Sequence, residues 1–167
     1  MSVISLIKYS LITLVIIWIE VSVLHLFAVY GATPDLLLIL VVFVSLREDR
    51  IFALFFAFFA GFFQDVFATH FWGLSALTKL IAALVASGFQ RSDGYYSLSY
   101  FATTFSLLIF LHELLFQFLF SLGSEISFWR VMWRTTVPDA VYSFVIALIV
   151  YFLFQNHLWK PKTVKLR

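Results

Sequence analysis

The sequence predicts an all-α membrane protein, a bundle of six transmembrane helices in one domain covering residues 1–167. Three observations predict this fold class. Hydrophobic residues make up 63% of the chain and charged residues only 12%, against roughly 25% charged residues in soluble domains. Apolar runs of membrane length recur along the chain, and most charges fall in the turns between them. No stretch between these runs is long enough to form a soluble domain.

The helices are expected at about residues 9–30, 34–46, 51–68, 73–89, 97–122 and 138–156, with an interfacial segment at 126–137. The first run can span a hydrocarbon core of about 30 Å, and its length favours a retained helix over a cleaved signal peptide. The second helix is short. A re-entrant hairpin would bury the charged turn at 47–50, so we expect a short or thinly covered crossing instead.

Two helices are predicted to begin with the same signal. Thr33 can cap the second helix, Pro34 suits its first position, and Asp35 suits the positive end of the helix dipole. Pro138 and Asp139 repeat this pattern at the start of the sixth helix. Each pair therefore predicts the start of a helix.

Small and polar residues follow one face of the third helix and one face of the fourth. On the third helix they recur at every fourth position, as Ala53, Ala57, Gly61 and Asp65. On the fourth, which we expect to begin at Gly73, they are Ala76, Lys79, Ala83 and Ala86. Small residues allow close helix packing, so we predict that these faces meet and bring Lys79 toward Asp65.

Polar residues also mark the fifth helix and the segment after it. Ser106, Glu113 and Gln117 share one stripe of the fifth helix, and His112 lies off it. Beyond that helix, two tryptophans share one helical face and two arginines share the neighbouring face: Trp129, Trp133, Arg130 and Arg134. Such residues favour the membrane boundary, and ion pairs of the arginines with Asp35 or Asp139 are a further expectation.

The distribution of basic residues predicts the topology. Six spans put both termini on one side, together with eight Lys and Arg residues: Lys8, Arg47, Arg50, Arg91, Lys160, Lys162, Lys165 and Arg167. The other side has only Arg130 and Arg134. By the positive-inside rule both termini are cytoplasmic. The basic tail is interpreted as a topology signal, with contact to anionic membrane lipid as the alternative.

Four ionisable side chains fall within the predicted spans: Glu20, Asp65, Lys79 and Glu113. Each needs a partner, hydrogen bonds or water, because an unpaired charge within a span costs a few kcal/mol or more. One hypothesis is a polar cavity that binds a ligand or relays protons. The other is structural hydrogen bonding between helices, with amides such as Gln117 as partners, worth about 0.6–2 kcal/mol per bond. We favour the structural hypothesis, because these residues do not reach the density of a substrate site.

No pattern typical of an enzyme is present. The chain has no cysteine, which excludes a thiol nucleophile and a thiolate metal site. The pair His112-Glu113 begins like a zinc-protease helix, but Phe116 stands where the second histidine is required. We therefore expect no catalysis, no metal, no cofactor and no nucleic-acid partner, and rank intramembrane hydrolysis last.

Several short motifs resemble the bacterial MreD family of rod-shape-determining proteins. They are Pro34-Asp35-Leu-Leu-Leu-Ile, Gly61-x-x-x-Asp65, Gly73-Leu-x-Ala-Leu, and Phe128-Trp129 before the last helix. The resemblance in length and helix order covers nearly the whole chain. Lys79 and the His112-Glu113 pair are not part of the family pattern, so any role for them rests on the physical argument alone.

The resemblance implies a non-catalytic protein of the bacterial cytoplasmic membrane, similar in fold to the substrate-binding subunits of energy-coupling-factor transporters. It implies the single-span protein MreC as partner and, indirectly, MreB, RodA and its penicillin-binding transpeptidase. The leading hypothesis is accordingly a scaffold subunit of the cell-elongation machinery. The alternative is a small-molecule-binding component of a transporter, with a cavity lined by Glu20, Asp65, Lys79 and Glu113.

Overall fold

The computed structural model describes residues 3–22, 33–67, 71–91, 97–122, 129 and 132–158. All regular structure in these ranges is helical. The elements are α1 Val3–Ser22, α2 Leu36–Arg47, α3 Arg50–Phe67, α4 Leu74–Ser87, α5 Leu98–Leu122, a π-helical turn Met132–Thr136, and α6 Val137–Leu158. The prediction of an all-helical protein is confirmed, and the described residues contain the six expected helices.

Two helices in the described part of the chain, α3 and α5, are long and apolar enough to span a membrane. The apolar helices α2 and α4 and the apolar segment Val137–Leu153 of α6 are shorter. The helix starts differ from the predicted ones by more than one residue in two places. α1 begins at Val3 and not near residue 9, because the exposed Lys8 does not interrupt it. α2 begins after Asp35, which caps it in place of Thr33.

The short helix α2 lies at the centre of the bundle, where it contacts each of the other five helices. Eight of its twelve residues are buried: Leu37, Leu38, Ile39, Val41, Val42, Val44, Ser45 and Leu46. The sequence predicted a short or a thinly covered second helix, and the structure shows a short helix that its neighbours cover well.

Helices α3 and α4 pack through the small residues that the sequence places on facing stripes. Ala53, Ala57, Gly61 and Asp65 are all buried in α3, and Ala76, Lys79, Ala83 and Ala86 are all buried in α4. The backbones approach most closely at Gly61. A Cβ atom there would lie 2.5 Å from the carbonyl oxygen of Ser75 and 2.6 Å from the Cα of Ala76. The predicted contact between the two small faces is confirmed.

Polar side chains also connect helices at the end of the bundle where α2 and α4 finish. The Tyr9 hydroxyl donates to Glu48 Oε1 at 2.8 Å and joins α1 to the α2–α3 turn. Gln90 Nε2 donates to the Ser45 carbonyl at 2.7 Å. Tyr100 donates to the Phe89 carbonyl at 2.9 Å. These hydrogen bonds fix the connecting segments between the helices at this end of the bundle.

Substituting Gly61 tests the close approach of α3 and α4. Gly61→Ala should lower the free energy of unfolding by about 1–3 kcal/mol, because the added methyl group would meet backbone that cannot rotate away. Unfolding by denaturing detergent in mixed micelles measures the loss. The matched control is Gly88→Ala, whose nearest contact is 3.2 Å and lies within its own helix end; it should change stability by about 0.5 kcal/mol or less. Equal losses for both variants would contradict the packing.

Candidate functional site

Carboxylates and helix N-termini meet at one end of the bundle, here called the acidic end: the start of α2, α4 and α6 with Glu20 of α1, Asp65 of α3 and Glu113 of α5. The first backbone N–H groups of a helix have no acceptor within the helix and carry the positive end of its dipole. In an apolar surrounding they need acceptors, and a carboxylate satisfies several of them at once. The acidic end is built from such contacts.

Asp65 caps α4 from the last turn of α3. Its Oδ2 accepts from Gly73 N at 2.9 Å and Ala76 N at 3.1 Å, and its Oδ1 accepts from Ser75 N at 3.0 Å. Gly73 has φ 90°, a left-handed conformation that favours glycine and turns its N–H toward the carboxylate. The side chain of Asp65 is 2% exposed, and its two oxygens serve the backbone of α4. Asp65 is therefore a structural residue of the α3–α4 turn.

Glu20 joins three helices. Its Oε1 accepts from Leu37 N at 3.0 Å, so that α1 supplies an acceptor to the first turn of α2. Its Oε2 accepts from Gln64 Nε2 at 3.1 Å, which adds α3 to the same junction. The hydrogen bonding between helices expected of Glu20 is confirmed, and its amide partner is Gln64.

Lys79 forms an ion pair with Asp35 at 2.5 Å. The predicted approach of Lys79 to Asp65 is wrong, because both oxygens of Asp65 already accept from the backbone of α4. Asp35 holds α2 in two ways: its Oδ1 caps Leu38 N at 2.6 Å and its Oδ2 accepts from Lys79. Lys79 is 1% exposed, and its ion pair ties the middle of α4 to the start of α2.

Asp139 lies in the first turn of α6, as predicted, but it bonds outside its own helix. Its Oδ1 accepts from Thr33 N at 2.8 Å. Two residues later, Asp35 N donates to Ser143 Oγ at 3.0 Å. The segment that enters α2 is thus attached to α6 at two points.

A cavity of about 270 Å³ opens among these groups. Its walls combine four carboxylates, one imidazole, other polar groups and two apolar side chains: Glu20, Asp35, Glu113, Asp139, His112, Thr33, Gln64, Ser75, Pro34 and Phe116. His112 is 2% exposed, and neither of its ring nitrogens has a hydrogen-bond partner among the described residues. Its Nδ1 lies 3.6 Å from Glu113 Oε1, beyond ordinary hydrogen-bond length.

Some predicted site residues lie elsewhere. The alternative hypothesis expects four residues to line one cavity. Glu20 and Glu113 line it, as expected, but Asp65 and Lys79 do not. Gln117 is buried, and its Nε2 has no partner among the described residues. Ser106 is exposed, so the predicted polar stripe of α5 does not face one surface.

The segment before α6 is described only in part. Trp129 and Trp133 are exposed, at 66% and 67%, and Pro138 is half-buried at the start of α6. The side chains of Arg130 and Arg134 lie outside the described residues. Their expected ion pairs with Asp35 or Asp139 therefore stay a prediction.

Sequence reasoning missed His112 as a member of the site. A signal for it existed, because α5 buries one stripe at helical spacing: Phe101, Thr104, Phe105, Leu108, Ile109 and His112. The histidine continues this stripe by one turn and so faces the bundle interior. Ser106 and Glu113, which suggest a separate polar stripe in the sequence, do not share this buried face.

The whole sequence was also compared with known proteins. The family model described as rod shape-determining protein MreD matches residues 2–160. No curated protein and no solved structure gave a significant match to the chain.

A double-mutant cycle tests the choice of partner by Lys79. Lys79→Met should lower the free energy of unfolding by about 3–5 kcal/mol, because it leaves the Asp35 carboxylate in the interior without its cation. Asp35→Asn should recover part of that loss, since asparagine remains a good helix cap and carries no charge. Unfolding in mixed micelles gives the coupling energy. Asp65→Asn in the Lys79→Met background is the control; recovery by that variant, and none by Asp35→Asn, would contradict the assignment.

Proposed function

The chain belongs to the family of rod shape-determining protein MreD, and from this premise we propose that it is a non-catalytic scaffold subunit of the bacterial cell-elongation machinery. The family places it in a membrane and in the determination of rod shape. The finer proposal is that it docks MreC and helps to position peptidoglycan synthases. MreB, RodA and the penicillin-binding transpeptidase are then indirect partners.

The bonding of the buried charges supports a scaffold. The carboxylate oxygens of three acids already accept hydrogen bonds within the bundle. Asp65 accepts from backbone N–H groups, Glu20 from a backbone N–H and the Gln64 amide, and Asp35 from Lys79. Such bonds between helices make the bundle rigid. These contacts connect α1, α2, α3 and α4 into one unit. A rigid unit can hold an attached partner in a fixed position, and this role requires no catalytic side chain.

The proposed topology is multi-pass in the bacterial cytoplasmic membrane with both termini in the cytoplasm. It is supported by the excess of Lys and Arg in the turns at the Tyr9–Glu48 end, where Arg47 and Arg50 flank the α2–α3 turn. In this orientation the acidic end faces outward. The exposed Trp129 and Trp133 then lie at the outer boundary of the membrane.

We assign the MreC helix to a groove of about 810 Å³ that lies between α1 and α3. One wall is a row of phenylalanines on α3: Phe52, Phe55, Phe56, Phe59 and Phe63. The small-residue face of α3 is already used by α4, and the groove occupies part of the aromatic side that α3 leaves exposed. Arg47, Glu48 and Asp49 line its cytoplasmic rim. An apolar wall with a charged rim suits a single membrane-spanning helix that continues into a charged cytoplasmic segment.

The alternative function, a small-molecule-binding component of a transporter, is favoured by one observation, the cavity at the acidic end. The predicted similarity to energy-coupling-factor substrate-binding subunits would add to it, and that similarity stays a prediction. Glu20 and Glu113 line the cavity as this alternative requires, and Asp65 and Lys79 do not. Similar folds also host unrelated functions, so we rank transport second.

Site-specific photo-crosslinking in cells tests the docking face. A photoreactive amino acid at Phe59 or Phe63 should crosslink to the membrane-spanning helix of MreC, identified by mass spectrometry of the adduct. Leu107 of α5 and Ile149 of α6 are matched control positions, since both are exposed apolar residues away from the groove. If MreC crosslinks only to the control positions, the groove is not the docking face, and MreC binds the side of the bundle formed by α5 and α6.

Depletion and rescue test the function itself. Depleting the protein from a rod-shaped cell should give rounded cells, and the wild-type chain should restore rods as measured by the ratio of cell length to width. The double variant Phe59→Ser with Phe63→Ser should rescue poorly, because it removes aromatic surface from the groove. The double variant Leu107→Ser with Ile149→Ser is the control for expression and insertion. Normal rods after depletion would rule out the scaffold function.

A further inference from the structure

The cavity at the acidic end is lined by more carboxyl groups than the described lysines and arginines pair with. Four carboxylates line it: Glu20, Asp35, Glu113 and Asp139. Lys79 balances the charge of Asp35, and no other lysine or arginine in the described part of the chain pairs with these acids. A surplus of carboxylates around an open cavity attracts a cation, because the surrounding protein screens charge less than water does.

Several acceptor atoms in the cavity have no described donor. Asp139 uses Oδ1 for Thr33 N, and its Oδ2 accepts no hydrogen bond from a described residue. Glu113 has no hydrogen bond to a described donor, although its side chain is only 12% exposed. This contrasts with Asp65, whose oxygens accept three backbone N–H groups. Glu113 and Asp139 therefore remain available to bind a group that carries N–H donors.

His112 adds an independent observation. It is 98% buried, lines the cavity and has both nitrogens unpartnered among the described residues, although buried polar side chains nearly always have partners. A neutral imidazole can accept from a ligand N–H at one nitrogen while the other turns its proton toward Glu113, 3.6 Å away. A ligand with several N–H donors would satisfy the histidine and the carboxylates together.

The arrangement suits an organic cation better than a metal ion. Among the described residues, no three Asp, Glu or His side chains are grouped closely enough to hold a metal ion. The volume of about 270 Å³ is close to the lower end of small-molecule sites, roughly 300–1,000 Å³. Pro34 and Phe116 provide an apolar wall for a carbon stem.

We propose that this cavity binds the ammonium or guanidinium head of an organic cation, held by Glu113 and Asp139, with a ring nitrogen of His112 as a further acceptor. The site does not depend on the groove between α1 and α3 or on the partner docked there, and it goes beyond the scaffold function. Glu20 and Asp35 are not needed as ligands, because their oxygens remain bonded to Leu37, Gln64, Leu38 and Lys79. The cation has two possible sources, a free small molecule or a basic side chain presented by another protein.

Binding of simple cations to the full chain in detergent micelles tests the chemistry. The probes are n-butylguanidinium and n-butylammonium chloride at constant ionic strength, with n-butanol as the uncharged comparison and calcium chloride as the metal comparison. Calorimetry should show saturable binding of at least one organic cation. Glu113→Gln and Asp139→Asn should each weaken that binding by about tenfold or more, because each removes a charged acceptor. Glu48→Gln, a carboxylate change at the opposite end of the bundle, should leave it unchanged.

The proposal would be overturned by binding of butanol or calcium as tight as that of the organic cations, by equal weakening by Glu48→Gln, or by no binding to the folded wild-type chain. Circular dichroism and gel filtration verify that each variant is folded; where one acid variant unfolds, the other still tests the site. Binding that appears only after Arg130→Gln or Arg134→Gln would also overturn it, since the cavity would then hold a guanidinium group of the chain itself.

Photo-crosslinking from Phe116 in native membranes distinguishes the two sources. An adduct with a small amine or guanidine compound identifies a free ligand, and an adduct at a Lys or Arg of another protein identifies a presented side chain. Adducts with lipid alone would contradict both. Because Phe116 lies outside the aromatic groove, this result is separate from the MreC crosslinks at Phe59 and Phe63.

Discussion

The fold depends on carboxylates placed against free backbone N–H groups at the acidic end. A helix N-terminus buried without acceptors is costly in water-excluding surroundings, and this bundle brings three of them together. Two of the acids come from a different helix than the one they bond: Asp65 reaches from α3 to α4, and Glu20 reaches from α1 to α2. The same contact therefore satisfies a helix end and fixes the neighbouring helix against it. Capping and tertiary packing are one interaction here.

The ion pair of Lys79 with Asp35 follows from that arrangement. Asp35 is drawn into the interior as the cap of the central helix α2, and a cation from α4 offsets the cost of its burial. Glu113 and Asp139 lie at the edge of the same network, where helix ends and lysine no longer supply enough donors. Asp35, Asp65 and Glu20 are therefore explained by the hydrogen bonds and the ion pair that they make within the bundle. Glu113 and Asp139 are left at the open cavity beside them.

The sequence predicted features with a local signal and missed those that depend on which helix is central. The alanine and glycine stripes of α3 and α4 have recognisable spacing and predict the close helix contact. The two Pro-Asp pairs predict that helices begin near residues 34 and 138, although at α2 the cap is Asp35 and Pro34 precedes the helix. The partner of Lys79 has no such signal, because Asp35 is 44 residues away and α2 is apolar on every side. A helix without a polar face gives no sign of which neighbours surround it. His112 was missed for a related reason: its stripe is defined by burial, and one polar residue at its end does not change the pattern.

The central position of α2 has a consequence for biogenesis. With twelve residues, its rise is about 18 Å, well short of a hydrocarbon core of about 30 Å. A segment this short is a poor substrate for membrane insertion by itself, yet in the finished bundle its neighbours surround it and it has little need to match the bilayer. Its entry is therefore expected to be coupled to α3, joined to it by a turn of two residues at Glu48 and Asp49. Because it is short, α2 resembles a weak membrane span in the sequence, although all five other helices contact it in the folded protein.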